Sequence, residues 1–177
     1  YRIEKKNSLI KYGKQYKTED FEGEKNRITT HFRNNGAYYF QPNYVTFNID
    51  TIKKVNQANI TLVINDYSFQ DGDSTKTEPF KLYKISDVNI YTDYSPSKNT
   101  LNITDSTIYK NFNIYSQEKL KYKPKAITNA IFITKGSMYA DYKTVLTTRY
   151  LNNLRIFNYP SIQYEVDKRD TTAQSLI

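Results

Sequence analysis

Between residues 44 and 65 apolar and polar side chains alternate. Val45, Phe47 and Ile49 mark the first half, and Ala58, Ile60, Leu62 and Ile64 the second. A period of two places each set on one face of an extended strand. Two such strands joined by a short polar link make an antiparallel pair with one buried face. Similar short runs predict strands at 28–33, 37–40, 80–85, 88–91, 101–103, 112–115, 127–134, 139–147, 154–157 and 161–166. Turn signals stand between them: Asn34-Asn35-Gly36, Gln41-Pro42-Asn43, and Asp71-Gly72-Asp73-Ser74 within a loop at 67–79. Helical periodicity is weak, and the threonines in 144–153 disfavour a helix there. Short strands with turns about every 8–12 residues predict an all-β fold, an antiparallel β-sandwich of jelly-roll type with about 8–11 short strands. The polar, charge-mixed stretch 1–26 reads as an extended N-terminal arm, 27–167 as the sandwich domain, and 168–177 as a polar tail or linker.

Composition narrows the chemistry. The 177 residues suffice for one domain with its own core. Aromatic content is 15%, with 18 tyrosines and no tryptophan, so tyrosine rings must help fill that core while their hydroxyls reach water or a partner. There is no cysteine, which excludes disulfide frameworks, thiolate metal sites and cysteine nucleophiles. No apolar run reaches the roughly 18 residues a membrane span needs. The chain starts at Tyr1 rather than Met, as expected of a piece of a longer polypeptide. Net charge is +8, with 20 lysines against 6 arginines. A lysine-biased surface favours diffuse attraction to polyanions over the fork-shaped readout arginine provides, or simply keeps the surface soluble.

Two stretches carry a family likeness. Phe47-Asn48-Ile49-Asp50-Thr51-Ile52, followed by Ala58-x-Ile60-x-Leu62, resembles the hairpin of DNRLRE-type domains. Those are jelly-roll sandwiches allied to galactose-binding-like carbohydrate-binding modules. Thr148-Arg149-Tyr150, Asn152 and Pro160-Ser161-Ile162-Gln163-Tyr164 resemble that family's closing strand. The chain departs from the pattern at Asn48, where the family commonly has Asp, and in lacking tryptophan. The resemblance implies an extracellular, non-catalytic module of a cell-surface protein, a secreted polysaccharide enzyme or a phage tail protein. Fold likeness carries function only by association.

Catalytic constellations are scarce. His31 is the sole histidine, so neither a histidine-based triad nor a two-histidine metal site can be built within the chain. No phosphate loop or dinucleotide fingerprint is present. The motif Tyr-x-Asp-Tyr occurs twice, as Tyr91, Asp93, Tyr94 and as Tyr139, Asp141, Tyr142. Flanking rings offer apolar faces to a sugar, and the aspartate accepts from its hydroxyls. The competing reading is that some of these rings are core. Lys119, Lys121, Lys123 and Lys125 occupy alternate positions, which in extended backbone gives a one-faced strip suited to a polyanion. Such lysines also protect sheet edges from unwanted pairing. Asp71, Asp73 and Glu78 form a candidate structural calcium loop, or an ordinary surface turn; no other cofactor is called for. Asn59-Ile60-Thr61 and Asn102-Ile103-Thr104 match glycosylation sequons.

These readings converge on an extracellular β-sandwich module, non-enzymatic, adhering to glycan or anionic wall polymer. It would belong to a bacterial surface protein or a phage virion or tail. The alternative is a purely structural jelly roll in a virion or surface layer, forming homo-oligomers or contacting neighbouring subunits. Nucleic acid ranks below both, for want of any arginine-rich readout.

Overall fold

The computed structural model of the chain describes residues 5–51, 56–94 and 102–177. Residues 1–4 of the expected arm, Ile52 of the hairpin motif and Leu101 of an expected strand lie outside these. The chain forms two compact units, Tyr1–Lys81 and Leu82–Ile177.

In the first unit, α1 (Thr18–Arg33) takes the place of the arm's end and of the strand expected at 28–33. Ile28, Thr29, Thr30 and Phe32 favour strands one by one. The helix prevails because Phe21, Glu24 and Ile28 fall on one helical face and are buried together. Glu19 and Asp20 in its first turn, and His31 and Arg33 in its last, complement the helix dipole. His31 therefore sits on a helix, not a strand. Glu24 accepts the Leu9 N–H at 3.0 Å and grips the Arg27 guanidinium at 2.7 and 2.9 Å. Burial alone would raise the Glu24 pKa, but these partners hold it below the usual value. The lead-in is thus tied to the helix at Leu9.

The Asn34-Asn35-Gly36 turn forms, with Gly36 at φ 100°. The stretch 37–40 is a turn rather than a strand, and it buries Ala37 and Phe40 completely. Phe40 stacks on Phe32 at 4.5 Å and meets Phe80 at 4.8 Å, with Tyr44 and Tyr67 closing around Phe80. β1 (Val45–Asp50) and β2 (Asn59–Ile64) form the antiparallel hairpin that the alternation predicts, in the register Val45 to Ile64, Phe47 to Leu62 and Ile49 to Ile60. Residues 67–79 are not a loop. They are a second hairpin, β3 (Tyr67–Asp71) with β4 (Ser74–Glu78), turning at Gly72.

In the second unit, β5 (Lys84–Ile85), β6 (Asn89–Tyr91), β7 (Asp105–Tyr109) and β8 (Phe112–Ser116) precede two helices, α2 (Pro124–Thr128) and α3 (Asp141–Asn153). β9 (Ser175–Leu176) ends the series. β8 is central in a three-stranded sheet, parallel to β6 and antiparallel to β7. Its inward residues Phe112, Ile114 and Ser116 are buried.

The strands expected at 127–134 and 139–147 are largely helix and loop. Pro124 opens α2, where its fixed φ suits a first helical position. In α3 the threonines find partners that relieve their helix penalty. Thr147 Oγ1 accepts the Phe132 N–H at 3.0 Å, Thr148 donates back to the Thr144 carbonyl at 3.0 Å, and the Thr144 and Tyr164 hydroxyls pair at 2.7 Å. Ile127, Ala130 and Leu151 form a buried cluster with Ile90, Tyr122, Ile131, Leu154 and Phe157 packed against it.

Residues 168–177 are not a free tail. β9 pairs in parallel with β5, and Val166 bridges Leu176 from the other side. The runs at 154–157 and 161–166 form no strand beyond that bridge. The fold is sheet-rich, but among the described residues its strands gather into four small sheets of two or three strands, accompanied by three α-helices. The two stacked layers of a jelly roll do not follow from this pairing. No helix among the described residues is long and apolar enough to cross a membrane.

Candidate functional site

Of the expected site residues of the second unit, Tyr91 lies on the sheet β6–β8–β7, whose faces the register defines. Alternation sends Asn89 and Tyr91 of β6, Asn113 and Tyr115 of β8, and Ser106 and Ile108 of β7 to the face opposite the buried Ile114. Tyr91 and Tyr115 are cross-strand neighbours with ring centroids 5.2 Å apart and planes 24° apart. Burial and the nearby Tyr115 push the Tyr91 phenol upward. Asn113 donates its amide to Asn89 Oδ1 at 2.9 Å. On the β7 side Tyr115 faces only Ser106, so a depression of about 350 Å³ opens there, lined by Ser106, Thr107, Ile108, Asn113 and Tyr115.

Asp93, the acid of the first Tyr-x-Asp-Tyr motif, is consumed by its own chain. It accepts the Ser116 hydroxyl at 2.8 Å, the Gln117 N–H at 2.9 Å and the Glu118 N–H at 3.1 Å. Burial would raise its pKa, yet these donors keep it below the ordinary carboxylate value. Tyr94 is exposed. The second motif is a helix start. Tyr139 is buried, its hydroxyl donates to Asp141 Oδ1 at 2.8 Å, and its ring meets Tyr164 edge-on at 5.2 Å. Asp141 opens α3, where a negative charge suits the helix dipole. Tyr142, on the first turn, is exposed. Only Tyr91 of the six motif residues belongs to the aromatic face just described.

The four lysines keep their alternation without forming a strand. Lys119, Lys121 and Lys123 lie in irregular backbone and Lys125 lies in α2, so no sheet edge is there to protect. All four are exposed, while Leu120, Tyr122 and Pro124 between them are partly buried. The segment is pinned along its length. Asp93 holds residues 116–118, Asp105 accepts the Leu120 N–H at 3.0 Å, and Tyr122 packs on Phe157 at 5.5 Å. Lys121 pairs with Glu118 at 2.7 Å, and that contact raises its pKa. Among the described residues no carboxylate pairs with Lys119, Lys123 or Lys125.

The calcium loop does not assemble. Asp71 and Glu78 stand at opposite ends of the β3–β4 hairpin, about 13 Å apart along the strand, too far to share one ion. Asp71 pairs with Lys76, and Glu78 with Lys81 at 3.2 Å. No cluster of three acidic or histidine side chains fit for a metal occurs among the described residues.

No family model, curated protein or solved structure matches the chain, so the resemblance to DNRLRE-type modules rests on its motif residues alone. Ser106 and Ile108 escaped sequence reasoning because β7 did, and Asn89 and Asn113, on strands that were expected, carry no motif that singles them out. The signal was present in 105–116, where Ser106 and Ile108 alternate toward a two-residue turn at Lys110-Asn111 and Asn113 and Tyr115 alternate away from it.

Proposed function

We propose that this chain is a non-catalytic, extracellular adhesion module that binds an anionic cell-surface polymer, as part of a bacterial surface protein or a phage virion or tail. The observation that carries the reading is the pinned segment 119–125, with four exposed lysines and three partly buried anchors between them. Holding the ammonium groups on an anchored backbone lowers the ordering cost of binding a repeating anion. The net charge of +8 adds long-range attraction. The reading needs a sheet-rich scaffold and does not depend on jelly-roll layering.

The test is retention on an immobilised teichoic acid or hyaluronan, compared with a variant in which Lys119, Lys121, Lys123 and Lys125 are all changed to Gln. At about 1 kcal/mol per lysine near an anionic surface, affinity should fall by at least about a hundredfold. Binding should weaken as added salt shortens the screening length. Equal retention of both proteins at low salt rules the reading out.

One observation favours the structural alternative, a component making protein–protein contacts. The β1–β2 hairpin leaves Ile49, Ile60, Leu62 and Ile64 between 37% and 43% exposed on one face. Contiguous apolar surface of this kind marks contact sites. That reading predicts concentration-dependent oligomers in light scattering, dispersed by Leu62→Asp.

A further inference from the structure

We propose that the depression beside Tyr115 is a subsite for one neutral pyranose ring. The inference deepens the adhesion reading and rests on it: the lysines would hold the anionic groups of a polymer, and this slot one of its uncharged sugars. The argument begins with the register. Tyr91 stacks on one face of the Tyr115 ring. Directly across from Tyr115 on β7 stands Ser106, whose side chain is too short to cover the other face. Ile108, paired with Asn113 one step along the same face, closes the far side. The resulting slot of about 350 Å³ lies within the size range of small-ligand sites.

Its chemistry selects the occupant. None of the five lining residues is charged, so the slot has no counter-ion for an anion or a cation. It combines one open aromatic face with a hydroxyl from Ser106 and an amide from Asn113. Asn113 spends one N–H on Asn89, which leaves its carbonyl oxygen as an acceptor. A pyranose has the matching parts, an apolar patch of C–H groups for the ring and hydroxyls that both donate and accept. Asn89 fixes the Asn113 amide, so little ordering is required on binding.

The test uses ¹⁵N-labelled full chain titrated with the methyl glycosides of glucose, galactose, mannose and N-acetylglucosamine. At least one glycoside should shift the Asn113 side-chain amide and the Ser106 and Tyr115 backbone signals in a saturable way. Tyr115→Ala removes the stacking wall and should weaken that binding roughly tenfold. Ser106→Tyr fills the slot and should abolish it, and a tyrosine at an exposed strand position is compatible with folding. The quadruple lysine variant should bind the glycoside as the parent does. No shift with any of the four glycosides overturns the proposal, as does binding that survives Ser106→Tyr. Polymer retention that depends on the lysines, without glycoside binding, would leave the adhesion reading standing and the sugar slot refuted.

Discussion

Leu176→Ala separates a docked C-terminal strand from a polar tail. Leu176 is fully buried, paired with Ile85 on one side and bridged to Val166 on the other. Its carbonyl accepts the Ser86 N–H at 2.8 Å. On either side of it, the Ser175 carbonyl accepts the Asp167 N–H at 2.8 Å, and Ile177 exchanges bonds with Glu165 at 2.8 and 3.1 Å. With the backbone held on both flanks, the surroundings cannot collapse into the space left by the lost side chain. Leu→Ala at buried sites costs about 2–5 kcal/mol, and a site that cannot relax belongs to the upper part of that range. We therefore expect a loss of about 3–4 kcal/mol, a large share of the stability of a typical domain. For a unit of roughly a hundred residues this lowers Tm by about 12–30 °C. Urea unfolding of the full chain, followed by far-UV circular dichroism at 25 °C, reads the loss as a lower midpoint at unchanged slope. Tyr159→Ala is the control, because Tyr159 is 95% exposed and should stay within about 0.5 kcal/mol of the parent. If Leu176→Ala unfolds at the same urea concentration as Tyr159→Ala, residues 168–177 behave as a tail and the pairing of β9 with β5 is refuted.

Two further outcomes follow from the same geometry. Asp170 is held down to about 2 by the Ser175 and Thr172 hydroxyls and the Thr172 N–H, and Asp87 is lowered by Lys135 and Arg169. Arg169 also holds Asp167 far below the usual range. Because these folded values are depressed, their contribution is complete above the ordinary pKa of 3.8 and is lost as pH falls from there toward 2. Asp170→Asn should lower stability at neutral pH and flatten this acid limb, and an acid titration identical to the parent's contradicts the assignment. In the other unit, Gly23→Ala should stabilise. A Cβ there meets only the Leu9 Cδ1 at 2.6 Å, the movable end of a side chain already 46% exposed, while alanine gains about 1 kcal/mol of helix propensity. A lower urea midpoint would show that Leu9 cannot move aside.

Alternation was legible where one face of a strand is buried, as in β8, and it also marked β1 and β2 as paired strands, although the apolar face expected to be buried there is left exposed at Ile49, Ile60, Leu62 and Ile64. It misled where a helix draws its stability from partners distant in sequence. Nothing local in 139–147 announces that Phe132 and Tyr164 will engage Thr147 and Thr144 and make a threonine-rich helix tolerable. In α1, Phe21 and Ile28 are a full two turns apart with the polar Glu24 buried between them, so the apolar stripe is too sparse to read. β3 and β4 were hidden because Ser68, Gln70, Thr75 and Thr77 make a polar hairpin whose main apolar contact is Tyr67 against the Phe80 cluster. The lysine strip was legible as a pattern of exposure, but the extended backbone or sheet edge it suggested is absent, because Pro124 and Ile127 turn its end into α2.

The fate of the two Tyr-x-Asp-Tyr motifs bears on the proposed sugar slot. A ligand-binding aspartate must offer lone pairs that the protein leaves open. Asp93 spends both oxygens on Ser116, Gln117 and Glu118, and Asp141 takes the Tyr139 hydroxyl and sits on a helix N-terminus. Each carboxylate is more valuable to the fold than to a ligand, since releasing it would strand partly buried donors, the Ser116 hydroxyl and Gln117 N–H for Asp93 and the Tyr139 hydroxyl for Asp141. Recognition of a neutral ring must then fall to groups with spare capacity. On this face those are the Asn113 carbonyl, the Ser106 hydroxyl and the uncovered side of Tyr115. By clamping residues 116–118 immediately after Tyr115, Asp93 fixes where the chain leaves β8 and so where the lysines begin. Under the proposed adhesion reading, that clamp would hold the aromatic slot and the cationic segment in one fixed spacing, which a polymer carrying both sugar rings and negative charges would have to match.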